Sequence, residues 1–149
     1  MSYGLIKSGK LITDRTSYEL FERNPVEAHI RYQSVLSPHG TTLRAEYTVP
    51  AGKFAILKNT VAYILVETVS TTPGLKGTYI LLDIGGVHYQ FCLATLGADR
   101  DAIGNDTIQM LSNEVLLKAG DRIYINTNNY STGGTVTHLG TVLITQYDL

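Results

Sequence analysis

Along residues 42–147 apolar and polar positions alternate with a period of two, and short turn signals break the pattern at nearly even spacing. A helix hides one face only with a period near 3.6, so this pattern fits half-buried β-strands. Residues 42–49 place Leu43, Ala45, Tyr47 and Val49 on one face. Residues 53–57 form a short apolar run, and 60–69 a longer, β-branched one. Residues 78–84 and 87–94 flank Gly85-Gly86, a hairpin signal because both glycines accept positive φ at little cost. Residues 106–111, 114–117, 121–127 and 135–147 complete the series. Pro50-Ala51-Gly52, Lys58-Asn59, Pro73-Gly74, Ala119-Gly120-Asp121 and residues 131–134 supply the turns. Short strands punctuated in this way predict an all-β antiparallel β-sandwich or jelly roll. The loop at 97–105 has room for one helical turn.

The first forty residues differ from the rest. They hold five cationic and four acidic side chains, whereas the remainder is rich in Thr, Val, Ile, Tyr and Gly. The chain of 149 residues therefore divides into an N-terminal extended arm at 1–40 and a β-sandwich domain at 41–149. Within the arm, a small hairpin is expected around Ser8-Gly9. A short helix is expected over 16–21, with Thr16 as N-cap and Glu19 completing a capping box. Residues 28–36 read as a strand with Ile30, Tyr32, Ser34 and Leu36 on one face. The isolated apolar residues Tyr3, Leu5, Ile6, Leu11, Ile12, Tyr18, Leu20 and Phe21 cannot build a core of their own. They are expected to lie on the sandwich or on a neighbouring subunit. Tyrosine suits such contacts, with apolar area and a polar tip. Of the ten tyrosines, Tyr3, Tyr18, Tyr130 and Tyr147 are the candidates for contacts between chains.

Several function classes are excluded as expectations. The formal charge is −1 and only 17% of residues are charged, so no basic field attracts nucleic acid. The single cysteine, Cys92, sits in an alternating apolar run and reads as a buried small hydrophobe. No apolar stretch approaches the ~18 residues of a membrane helix, and the N-terminus lacks the apolar core of a signal peptide. A soluble protein made in a cytoplasm is expected, with no membrane partner. His29, His39, His88 and His138 are dispersed, with no His-x-His pair to nucleate a metal site. Residues 99–106 begin like a calcium loop, but Ile103 and Met110 stand where liganding oxygens belong. No nucleophile elbow, Walker or dinucleotide motif occurs. No catalytic residue, metal or cofactor is assigned, and the chain is read as a non-enzyme.

Two phrases carry a resemblance. Residues 47–56, Tyr-Thr-Val-Pro-Ala-Gly-Lys-Phe-Ala-Ile, resemble strand openings of bacteriophage virion β-sandwich proteins, as do residues 114–125. A small Thr- and Gly-rich β-domain behind an N-terminal arm is similar to the trimeric capsid decoration, or cement, proteins. The resemblance spans about residues 45–149 and brings no catalytic residues. It implies a homotrimer on the outside of a phage capsid, partnered by itself and by the major capsid protein, made in the host cytoplasm and resident in the virion. An alternative is a phage tail-fibre or receptor-binding head domain. There Tyr130, with Asn126, Asn128 and Asn129, would form a loop-tip platform for a host glycan or protein.

Overall fold

Gly85 and Gly86 both take positive φ, +59° and +80°, and Ile84 stands opposite Val87, so the expected two-residue hairpin forms. The computed structural model describes residues 5–7, 10–12, 23–34 and 39–149, the first two stretches by backbone alone. Their strands are β1 (Leu5–Lys7), β2 (Lys10–Ile12), β3 (Val26–Ser34), β4 (Gly40–Thr48), β5 (Lys53–Thr68) and β6 (Lys76–Ile84). There follow β7 (Val87–Leu96), β8 (Asp106–Leu111), β9 (Val115–Lys118), β10 (Arg122–Asn129) and β11 (Thr135–Asp148). A 3-10 turn, Ala98–Arg100, is the one helical turn expected in the 97–105 loop.

Two antiparallel sheets stack. One has the order β4-β10-β6-β7, and the other has β3-β11-β5-β8 with β9 also on β5. β8 and β9 pair successive stretches of β5 and act as one interrupted strand. Counted that way from β3, the strands lie in the orders 1-8-3-6 and 2-7-4-5. Apart from the β6–β7 hairpin, every connection crosses from one sheet to the other, which is the jelly-roll arrangement. The expected all-β sandwich is therefore the observed fold. Its core lies between the sheets, where Ile80, Leu82, Cys92, Ile123 and Ile125 meet Ala55, Leu57, Ile64, Val142 and Ile144, all buried. Cys92 occupies the buried position its alternation predicts, and burial pushes its thiol pKa up.

Three expectations are corrected. Lys58-Asn59 is not a turn, because residues 53–68 form one strand. Along β11, Leu143 faces Asn59 and Ile144 faces Leu57, so Lys58 is an extra residue in a β-bulge. The bulge resets the alternation and lets both Leu57 and Thr60 face inward. Leu43 does not share the inner face of Ala45 and Tyr47. Ile125 pairs with Ala45 and Asn126 with Leu43, which makes Arg44 a second bulge residue and turns Leu43 outward to 53% exposure. The Arg44 guanidinium instead sits 5.2 Å from the Tyr32 ring centre and donates from Nε to Thr127 Oγ1 at 2.8 Å. Third, the sandwich takes in residues 26–34, which composition placed in the arm. β3 pairs along β11 from Val26–Gln146 to Ser34–His138, with Ile30, Tyr32 and Ser34 sharing one face as expected, and that face is the more buried one. Leu36 and the helix expected over 16–21 lie outside the described residues. β1 and β2 pair around residues 8–9 as the expected hairpin.

Candidate interaction face

The two outer faces of the sandwich differ in kind. On the four-stranded sheet, a polar network occupies part of the outward surface, beside the exposed Leu43. Arg122 Nη2 donates to Asp83 at 2.8 Å, and Nη1 donates to Glu46 at 3.3 Å. Tyr124 Oη lies 3.1 Å from His88 Nδ1, and Asn128 Nδ2 donates to Tyr79 Oη at 2.9 Å. The Arg122 hydrogen bond holds the Asp83 carboxyl below its usual range, and Asp83 in turn raises Arg122. Around this network Asn126 Oδ1 and Asn128 Oδ1 find no hydrogen-bond partner among the described residues.

The five-stranded sheet presents the opposite chemistry. Inward Ala62 and Ile64 fix Val61, Tyr63 and Leu65 on the outside of β5. Register then sets Tyr63 between Leu139 of β11 and Ile108 of β8, and Val61 beside Met110. Lower down, Ile56 pairs with Leu116 of β9. Met110 is 68% exposed, and Ile108 and Leu116 are each 57% exposed. Glu27 and Arg31 stand on β3 and Glu67 and Asp106 at one end, while the Lys58–Glu114 ion pair, at 2.7 Å, divides the Val61–Met110 pair from the Ile56–Leu116 pair. Exposed apolar side chains grouped in this way mark interaction sites.

One end of the sandwich gathers the β5–β6, β7–β8 and β10–β11 loops. They are fastened together by the Thr72–Thr132 bridge and by Tyr130 N donating to Leu75 O at 2.9 Å. Val69, Leu75, Ile103 and Tyr130 are exposed there. Tyr130 is thus at a loop tip as expected, its hydroxyl 3.0 Å from Thr41 Oγ1 and its ring edge-on to His39. The glycan platform expected around it does not assemble. Asn126 and Asn128 lie in β10 rather than in a loop, and Asn129 Oδ1 accepts from Ser131 N at 3.0 Å. Tyr147 is also corrected: it is 7% exposed and stacks on Phe54 with ring centres 5.0 Å apart. Leu5, Ile6, Leu11 and Ile12 are placed by backbone in the β1–β2 hairpin, while Tyr3, Tyr18, Leu20 and Phe21 lie outside the described residues. Among the described residues no group of three His, Cys, Asp or Glu could hold a metal.

The apolar face escaped the sequence reading, although β5 carried its signal. Residues 54–57 and 61–66 are apolar on both sides of the strand rather than on one. Such runs belong to strands covered on both faces.

The sequence matches no protein-family model and no curated protein at a significant level. Among solved structures, the chain is similar to a TNF of S. frugiperda, Eiger, at 12% identity over 84% of this chain and 92% of that one, with a TM-score of 0.39. It is similar to a chain of infectious bursal disease virus, Gx strain, at 13% identity with a TM-score of 0.44. There it covers 97% of itself but only 37% of the longer viral chain. It is also similar to turnip yellow mosaic virus at 12% identity, 84% and 82% coverage and a TM-score of 0.36.

Proposed function

We propose that the chain is a non-enzymatic structural virion protein that assembles as a homotrimer and binds the outside of a phage capsid, stabilising the shell. The observation that carries the association is the contrast between the two outer faces. One sheet carries the Arg122–Asp83–Glu46 network and exposes Leu43 alone of the large aliphatic residues on β4, while the other exposes Ile108, Met110 and Leu116 beside Val61 and Tyr63. Burying those side chains against a second copy of the chain removes apolar area from water at about 25 cal/mol per Å2. Three subunits also engage a repetitive shell at several points at once, so modest individual contacts gain by avidity. The phage setting and the threefold state come from the sequence resemblance of residues 47–56 and 114–125.

Light scattering tests the association, with a mass of three chains expected at micromolar concentration. Co-sedimentation with empty phage shells then tests the capsid role. A monomer at every concentration would overturn the association. A trimer that binds host cells and no shell would favour the tail-fibre or receptor-binding alternative, for which the exposed Val69, Leu75 and Tyr130 at the fastened loop end form the available tip.

A further inference from the structure

Beside the bulge at Arg44 a cleft of about 280 Å3 opens on the outer face of the four-stranded sheet, lined by Leu43, Glu46, Arg122, Tyr124 and Asn126. Glu46 stands opposite Tyr124 and Leu43 opposite Asn126, with Arg44 as the extra residue of β4. The bulge thus sets two outward side chains of β4 three residues apart instead of two, and the cleft lies at that gap. Bulges often re-aim side chains beside functional sites. Along β10, Tyr124 falls between Arg122 and Asn126 on the same outward side. The volume lies just below the ~300–1,000 Å3 of drug-sized sites, which suits a single small ring.

The polar groups here are held in place without being used up. Arg122 is fixed by Asp83 and Glu46, yet its side chain stays 40% exposed and that of Glu46 37%. The Arg122 guanidinium sits 5.9 Å from the Tyr124 ring centre, and the Tyr124 hydroxyl lies 3.1 Å from His88 Nδ1, so the ring is steadied at both ends. Asn126 Oδ1 is enclosed without a partner, which leaves the amide NH2 as the end that reaches the cleft. The cleft therefore offers a carboxylate acceptor, amide and guanidinium donors, and the apolar surfaces of Tyr124 and Leu43. Asp83 and Glu46 supply two carboxylates against the one guanidinium of Arg122, so a further anion is disfavoured. Hydroxyls both donate and accept, and a pyranose ring carries them around a C–H face that packs on aromatic and aliphatic side chains.

We propose that this cleft binds one neutral hexopyranose unit of a glycan, its C–H face on Tyr124 and Leu43, its hydroxyls donating to Glu46 and accepting from Arg122 and Asn126. The site does not depend on the self-association proposed above. It lies on the sheet opposite the apolar face, so association through that face does not cover it. One small cleft with few contacts binds weakly, and several copies in an assembly strengthen the attachment by avidity.

The test titrates the full chain, labelled with nitrogen-15, with the methyl glycosides of glucose, galactose, mannose and N-acetylglucosamine, and follows the backbone amides by NMR. Saturable shifts at Leu43, Glu46, Tyr124 and Asn126 are expected with at least one of these sugars. Tyr124→Ala and Glu46→Ala should each weaken that binding roughly tenfold. Glu46 is exposed on the edge strand β4, so its replacement spares the fold and keeps the test decisive if Tyr124→Ala disturbs the sheet. Tyr130→Ala at the loop end should change nothing, and the methyl glycoside of sialic acid, which carries a carboxylate, should bind more weakly than the neutral sugars. No saturable shift with any of the four neutral sugars overturns the proposal. Loss of binding with Tyr130→Ala but not with Glu46→Ala moves the site to the loops and overturns it too. Tightest binding of the sialoside would make Arg122 an anion site and refute a neutral ligand.

Discussion

Lys76 Nζ lies 3.0 Å from Asp101 Oδ1, and both side chains are closed off from solvent. The pair ties the start of β6 to the β7–β8 loop. Lys76 also donates to Gly74 O at 3.0 Å, and Asp101 Oδ2 accepts from Ser70 N at 3.1 Å, so the β5–β6 loop is fastened at the same point. Burial pushes the Asp101 carboxyl up, but the hydrogen bonds from Lys76 and Ser70 outweigh it and leave the pKa lowered. Removing one partner strands the other as a buried charge. Lys76→Met is therefore expected to cost about 3–5 kcal/mol in chemical denaturation. Lys76→Met with Asp101→Leu should recover much of that loss, because no charge is then left unpaired. A double variant as unstable as the sum of the singles would refute this account.

His138 gives the fold a defined acid weakness. It sits fully enclosed on the inner side of β11, with Nδ1 3.1 Å from Thr78 Oγ1. Burial, reinforced by Arg44 and Lys76, lowers its pKa from 6.5 to about 4. Between those values the unfolded chain binds the proton that the folded chain refuses, so stability falls as pH drops from about 6.5 to about 4. The loss reaches about 3 kcal/mol, from a shift of roughly 1.4 kcal/mol per pH unit. Asp101, with its lowered pKa, adds a loss only at lower pH, as the medium falls through its folded value. His138→Gln should flatten the dependence of denaturation midpoints on pH between about 6.5 and about 4. An unchanged slope in that variant would assign the acid sensitivity elsewhere.

At Gly140 of β11 the two sheets approach closely. A Cβ there would stand 2.6 Å from Ile125 Cγ2 and 3.1 Å from Cδ1. Ile125 is itself fully buried, so it has little room to retreat. Gly140→Ala is expected to cost about 1–3 kcal/mol as overpacking. Adding Ile125→Val should return part of that cost, and the two effects should be strongly non-additive. Equal melting temperatures for wild type and Gly140→Ala would show that the sheets separate freely at this point.

The strands were legible because their alternation is local. Gly85-Gly86 announced its hairpin, and Cys92 announced its burial. The two bulges were not, because Lys58 and Arg44 are extra residues only relative to partners on β11 and β10, far away in sequence. Arg44 is a case in point. Its charge argues for solvent, yet the bulge turns it over Tyr32. The same limit hid the apolar face, since Met110, Val61 and Leu139 lie in three separate strands and only the register makes them neighbours. Tyr130 could be placed at a loop tip from its flanking turn residues, but the hydroxyl of Thr41 that meets it lies 89 residues away.

The same register yields the sharpest contrast between the two outer faces. Met110 and Ile108 are exposed on the edge strand of the apolar sheet, where neither supports the core of its own chain. Met110→Lys and Ile108→Lys should leave the melting temperature of the isolated subunit nearly unchanged, as surface substitutions usually do. Each should weaken association by roughly tenfold or more, because a charge is then desolvated where about 1.5–3 kcal/mol of apolar burial stood. Leu43→Lys supplies the control. Leu43 is nearly as exposed as Ile108, 53% against 57%, but it lies on the four-stranded sheet. Light scattering across a dilution series should find the Met110→Lys and Ile108→Lys variants as monomers where the Leu43→Lys variant stays assembled. If all three variants assemble alike, the apolar face is not where copies of this chain meet. If Leu43→Lys alone dissociates, the contact lies on the opposite sheet.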